Sequence, residues 1–152
     1  MGDDREAVVD YGEALRQADP LNHATLAEIH DDRGLAQLRL QNYRGAIADF
    51  NQAIQLNPAD LRAYFNRGCT HHREGHYAAA LIDFDQVLQI APDYAEAAVS
   101  RGLVRHQLGQ KGEAIADLQH AANCFRHQGA AVAYRQTLDL IHTLRSSNST
   151  IG

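Results

Sequence analysis

The sequence predicts an all-α protein built from repeated antiparallel helix pairs, and three observations carry that prediction. Small residues recur at a step of 34, as Gly34, Gly68 and Gly102 and again as Ala46, Ala80 and Ala114. Bulkier positions keep the same step, first Phe50, Phe84 and Leu118, then Ala53, Val87 and Ala121. Helix-ending residues separate them, Gly75 and Gly109 in one series and Pro58 and Pro92 in another. A fixed period of about 20–50 residues marks a repeat architecture, in which each unit buries its apolar face against a neighbour.

Each element follows from these positions. Ala7, Tyr11 and Ala14-Leu15 reproduce the small, aromatic, small spacing of a second helix with no first helix before it, so residues 3–21 read as a half copy. That half copy serves as a cap, continues a longer array, or offers an edge on which a second chain would pair. About four residues more than the period requires lie after Pro20, which lengthens the next helix by roughly one turn. Helices are expected over 22–40, 43–56, 60–74, 77–90, 94–108 and 111–127. The glycine and alanine series sit where paired helices cross closely, and Phe50 and Phe84 fill the space beside the crossing. Gly75 and Gly109 provide left-handed caps at the end of a first helix. Pro58 and Pro92 end a second helix, and Asp93 with Glu96 reads as a capping box for the next. Arg126 stands where a third proline would fall, so the sixth helix runs on toward Gly129. Tyr134, Leu138, Ile141 and Leu144 then predict a capping helix over 130–145, followed by a frayed tail over 146–152.

These positions resemble the tetratricopeptide repeat, most fully in A-Y-F-N-R-G (63–68), G-H-Y (75–77), A-L-I-D-F (80–84) and A-P (91–92). The resemblance covers three copies, 27–60, 61–94 and 95–128, and the run A-I-A-D-F-N-Q-A-I-Q-L-N-P (46–58) looks like arrays of photosynthetic bacteria. It implies a right-handed superhelical solenoid forming one domain over 1–145, with a concave groove lined by the first helix of each pair and occupied by a peptide. The groove-facing offsets are Glu28, Asp31, Asp32, Leu35, Leu38 and Arg39 in the first copy. They are Arg62, Phe65, Asn66, Cys69, His72 and Arg73 in the second, and Glu96, Val99, Ser100, Leu103, His106 and Gln107 in the third. Some members of the family clamp a chaperone's C-terminal carboxylate with Lys, Asn and Arg from successive first helices. Of those positions only Asn66 is kept, while Asp31, Leu35, Glu96 and Ser100 replace the others, so a carboxylate would meet negative charge.

One recurrence departs from the family pattern. Arg33, Arg67 and Arg101 precede the three glycines, and Asp49, Asp83 and Asp117 follow them 16 residues later. They read as ion pairs tying the two helices of a copy, or neighbouring copies, together; the alternative is a solvated charged face.

Composition bounds the function. The chain has 152 residues, is 45% apolar and 22% charged, and so folds as an ordinary globular domain. No apolar run approaches membrane-spanning length and no secretion signal opens the chain, so a cytoplasmic protein without membrane insertion is expected. Residues 1–60 carry 11 acids and 5 bases and residues 61–152 carry 8 acids and 9 bases, which provides no basic face for nucleic acid. Cys69 and Cys124 match no paired-cysteine spacing and read as reduced thiols, Cys124 as a buried one. No phosphate loop, nucleophile elbow or metalloprotease motif is present, so neither catalysis nor a cofactor is expected.

The predicted function is therefore a scaffold or adaptor that binds a protein or peptide in the groove. Two alternatives stand beside it. Cys69, His72 and His106 would form a metal- or small-ligand module, or the N-terminal edge would build a homo-oligomer. His72 and His106 would also make a groove sensitive to pH. His71 takes a slot usually held by a packing tyrosine, His30 that of a bulky residue, and His76 lies in a turn.

Overall fold

The computed structural model describes residues 2–147. They form eight α-helices and, among the described residues, no strand: α1 Gly2–Gln17, α2 His23–Arg39, α3 Tyr43–Leu56, α4 Leu61–Arg73, α5 Tyr77–Ile90, α6 Ala95–Gln107, α7 Lys111–His127 and α8 Ala131–Ser146. The expected frayed tail lies mostly outside the described residues, and Ser146 belongs to α8. The chain divides into two compact units, Met1–His76 with α1–α4 and Tyr77–Gly152 with α5–α8.

Helix lengths follow the sequence closely. The extra residues after Pro20 lengthen α2 to 17 residues, against 13 in α4 and α6. Without a proline, α7 also reaches 17 residues, against 14 in α3 and α5. The turns after α4, α6 and α7 pass through Gly75, Gly109 and Gly129, whose φ angles are 77°, 78° and 72°. In the first copy Gln41 takes this left-handed position at φ 61°, so the turn forms there without a glycine. Asn22, Asn42 and Asp60 cap α2, α3 and α4 by accepting the backbone N–H of Thr25, Gly45 and Ala63. The capping box expected at Asp93 does not form. The N-cap of α6 is Tyr94, at the position equivalent to Asp60, and its side chain makes no capping hydrogen bond. A cap requires the side-chain oxygen on the N-cap residue itself, and Asp93 is one residue too early.

In the first unit α2 and α3 run antiparallel: Ala27 meets Ala53 at one end, Gly34 meets Phe50 in the middle, and Leu38 meets Ala46 at the other. A Cβ at Gly34 would lie 2.7 Å from Cε1 of Phe50, whose side chain is fully buried. In the second unit a Cβ at Gly102 would come within 3.1 Å of the Ala114 carbonyl and 3.3 Å of Leu118. α8 packs on α7 through Ile141 and Leu144 against Ala114 and Leu118, while Tyr134 and Ala133 rest beside Ala121 and Phe125. Leu38, expected on the groove, is instead a core residue, because at the end of α2 its face turns toward α3.

The repeated arginines are structural, and they make two kinds of bond. Within a copy, Arg33 holds the Asp49 carboxylate with both Nε (2.8 Å) and one terminal nitrogen (2.7 Å), and Arg101 holds Asp117 in the same way at 3.0 and 2.7 Å. Between copies, Arg67 reaches back to Asn51 at 2.8 Å and Arg101 reaches back to Asp85 at 2.9 Å. Asn51 and Asp85 are one period apart, so the same guanidinium position serves both purposes. Burial pushes the Asp49 carboxyl up, but hydrogen bonds from His30 and Arg33 outweigh it and hold the group below its ordinary range. Arg105 adds a further bond to Asp117 at 2.8 Å.

Two outcomes follow for thermal or urea unfolding. Gly34→Ala forces the buried Phe50 ring to move and destabilises the protein by roughly 1–3 kcal/mol; adding Phe50→Leu recovers much of that loss. Asp117→Ala leaves two arginines without their buried partner and costs roughly 3 kcal/mol, whereas Asp85→Ala removes an exposed partner of the same Arg101 and costs at most about 1 kcal/mol. Equal losses at 117 and 85 would contradict this assignment.

Candidate functional site

The sequence-predicted groove residues are distributed between the two units. In the first, α2 carries Asp31, Asp32, Leu35 and Arg39, and α4 carries Arg62, Phe65, Asn66, Cys69, His72 and Arg73. Leu35, Phe65, Cys69 and His72 are half-buried and Arg73 is exposed. Several others are occupied within the fold. Arg39 bonds Asp4 on α1 at 2.9 Å, and Arg62 bonds Asp32 and lies 3.8 Å from Asp31. Asn66 is 9% exposed.

Asp31 departs most from expectation. It is only 2% exposed, and its Oδ1 has no hydrogen-bond partner. Burial, reinforced by the neighbouring Asp60 carboxyl, pushes its pKa up to about 8. Asp31 lies beside Asp60, which accepts the Ala63 amide at 3.1 Å to start α4. This residue thus joins α2 to the N-terminus of α4 instead of lining an open face. No sequence signal pairs Asp31 with Asp60, since the two meet only when α2 packs against α4.

In the second unit Val99, Ser100 and Leu103 are half-buried on α6, and His106 is exposed. Glu96, Val99 and Ser100 form one wall of a cavity of about 330 Å³ whose other wall is α8, through Ala133, Gln136, Thr137 and Leu140, with Phe125 of α7 at its base. Thr137 is buried, and its hydroxyl donates to the Ala133 carbonyl at 2.7 Å. The α8 wall is not among the groove positions that the sequence predicts, because Tyr134, Leu138, Ile141 and Leu144 mark only the packing face of that helix. Its signal was present: residues 133, 136, 137 and 140 keep helical spacing on the adjacent face.

Cys69 and His72 belong to the first unit and His106 to the second. Cys124 is half-buried, not buried, with its Sγ 3.6 Å from Nε2 of His120, and burial together with Asp93 pushes its thiol pKa up. A raised thiol pKa leaves little thiolate, so Cys124 is a poor nucleophile. His30 is also absorbed by the fold, its Nδ1 2.9 Å from Asp49. Among the described residues, no helix is long and apolar enough to cross a membrane.

Antiparallel helix pairs at a 34-residue step, crossing at small residues and reversing through left-handed caps, define an all-α helix-pair repeat protein. The tetratricopeptide repeat pattern matches residues 70–145 and, in a second form, residues 32–95. The chain belongs to the tetratricopeptide repeat family. The Protein SGT1 homolog of Oryza sativa subsp. japonica is 43% identical over 56 residues, 37% of this chain, and the chain spans 15% of that protein's length. The fold is similar to the TPR2B domain of yeast Sti1 in its pHsp70 complex, with a TM-score of 0.77 and 16% identity over 81% of this chain and 98% of that one. It is also similar to the first TPR of Spaghetti (RPAP3) bound to HSP90 peptide SRMEEVD, with a TM-score of 0.74 and 17% identity over 83% and 95% of the two chains.

The Asp31 environment gives a test. A carboxyl whose folded pKa is raised contributes stability that is fully present below its unfolded value near 4 and is lost as pH rises toward about 8. Asp31→Asn keeps a donor for Asp60 and removes the charge, so it stabilises the protein at pH 8 by about 1–3 kcal/mol relative to the parent and by less at pH 5. Urea unfolding at both pH values measures the difference. A variant less stable than the parent at pH 8 would show that Asp31 is a paired carboxylate.

Proposed function

We propose that the protein is a non-catalytic interaction module of a reducing cytoplasm, a scaffold or adaptor whose units each offer a face to a partner polypeptide. The observation that carries this reading is the α6–α8 cavity. Val99, Phe125, Ala133 and Leu140 give it an apolar interior, and Glu96, Ser100 and Gln136 supply a polar rim. An apolar side chain of an extended or helical segment, with its backbone bonding to the rim, matches that composition. In the first unit the corresponding face is Leu35, Phe65 and Cys69 with Arg73 and His72 beside them.

Acidic chaperone tails are a poor match. The two similar domains named above are complexed with pHsp70 and with an HSP90 peptide ending in EEVD. In this chain Asp32 and Asp60 stand at the α2–α4 face beside the buried Asp31, and Glu96 stands at the rim on α6, with Arg62 already engaged by Asp32. The preferred segment is therefore neutral or basic where such tails are acidic. The likeness of residues 46–58 to arrays of photosynthetic bacteria supports an assembly or regulatory factor of that kind of organism.

A pull-down from the native organism tests the reading, using the parent chain, Phe65→Ala with Arg73→Glu, and Leu140→Arg. The partner retained by the parent should be recovered at about tenfold or more below the parent level with at least one of the two variants, since loss of a buried interface anchor costs at least about 2 kcal/mol. Undiminished recovery by both would exclude these faces. Recovery that depends on a free C-terminal carboxylate of the partner would exclude the discrimination against acidic tails.

A further inference from the structure

We propose that the turn after α4 is a site for a divalent transition-metal ion of the zinc type, held by His71, Glu74 and His76. This goes beyond the binding of a partner polypeptide and uses residues separate from the proposed faces. The donor atoms of the three side chains all lie within 4.8 Å of one another, and Nδ1 of His76 is already 3.3 Å from Oε2 of Glu74. Ligands bound tetrahedrally at about 2.0–2.2 Å stand about 3.3 Å apart, so one pair is at coordination spacing. The remaining contraction is within reach of side-chain rotation: His76 is 62% exposed and has room to move, while Glu74 is 25% exposed.

The backbone that carries these residues is fixed. Glu74 donates its N–H to the Thr70 carbonyl at 3.1 Å, Gly75 to His72 at 3.0 Å and His76 to His71 at 2.8 Å, and Gly75 takes φ 77°. Three donors within six residues therefore ride on one hydrogen-bonded turn, so little ordering remains for the ion to impose. The turn is also the C-terminal end of α4, where the helix dipole favours positive charge. Arg73 on the same end acts in the opposite sense.

The other copies show that the fold does not require these residues. The same turn, with the same bond pattern, joins the two helices of the first copy at Asn42 N–H to Gln37 carbonyl (2.8 Å) and those of the third at Gln110 N–H to Arg105 carbonyl (2.8 Å). The positions equivalent to His71, Glu74 and His76 are Gln37, Leu40 and Asn42 in the first copy and Arg105, Leu108 and Gln110 in the third. A turn that forms with amides and leucine in its neighbours carries two imidazoles and a carboxylate here. That donor set suits zinc, with at least one coordination position left for water.

Titration of the full chain, freed of metal by chelation, with ZnCl2 in a calorimeter tests the proposal. The expected result is one zinc per chain in the micromolar range, weakened about tenfold or more by each of His71→Gln, Glu74→Leu and His76→Asn. These replacements come from the first copy's own turn and so preserve the fold. His127→Gln and His120→Gln should leave binding unchanged. In the unaltered chain, substoichiometric Ni2+ should broaden the imidazole NMR signals of His71 and His76 before those of the other histidines. The proposal is overturned by an absence of micromolar zinc binding, by retained affinity in the three turn variants, by loss in either control, or by broadening that begins at other histidines.

Discussion

The close crossing of paired helices is the constraint on which the rest of the molecule depends. At Gly34 the approach leaves no room for a Cβ beside the fully buried Phe50 ring, and at Gly102 the obstacle is the backbone carbonyl of Ala114. Such an approach forces the flanking positions to stay small, hence Ala27, Ala46 and Ala53 in one pair and Ala98, Ala114 and Ala121 in the other, all buried. A core made largely of alanine has little apolar area per residue, so the few large side chains, Phe50, Phe84, Leu118 and Phe125, carry a disproportionate share of the burial.

A small-residue core of this kind leaves polar groups close to the crossing, and the arginine series uses that proximity. Each guanidinium is planar and offers five donors, enough to hold a carboxylate with two of them and still reach another helix. Arg101 does both, toward Asp117 in α7 and Asp85 in α5. The bond to the deeply buried aspartate is the one that matters for stability, because that carboxylate has no access to water if the arginine is lost. The outer bond fixes one copy against the preceding one at little energetic consequence.

The faces proposed for partners are what remains after these internal demands are met. Arg39, Arg62 and Asp31 fall at groove offsets but are engaged with Asp4, Asp32 and Asp60. Leu35, Phe65, Val99 and Leu103 are half-buried, and Leu35 and Val99 also pack against core clusters. α8 adds a wall that, with Glu96, Val99 and Ser100 of α6, encloses a cavity.

The sequence by itself determined the period, the helix bounds to within about a residue, the left-handed glycines and the arginine–aspartate pairs of the first and third copies. These are legible because they arise from residue types forced by local geometry and repeated at 34-residue intervals, so each copy corroborates the others. Only the tertiary structure decided that Leu38 is core, that Asp31 is buried beside Asp60 with its pKa pushed up, that α8 supplies half of a cavity, and that His71, Glu74 and His76 converge. Each of these depends on which face of a helix meets a particular neighbour, or on side-chain directions around a turn. They occur once, in a single copy, and a periodicity argument has no second instance from which to read them.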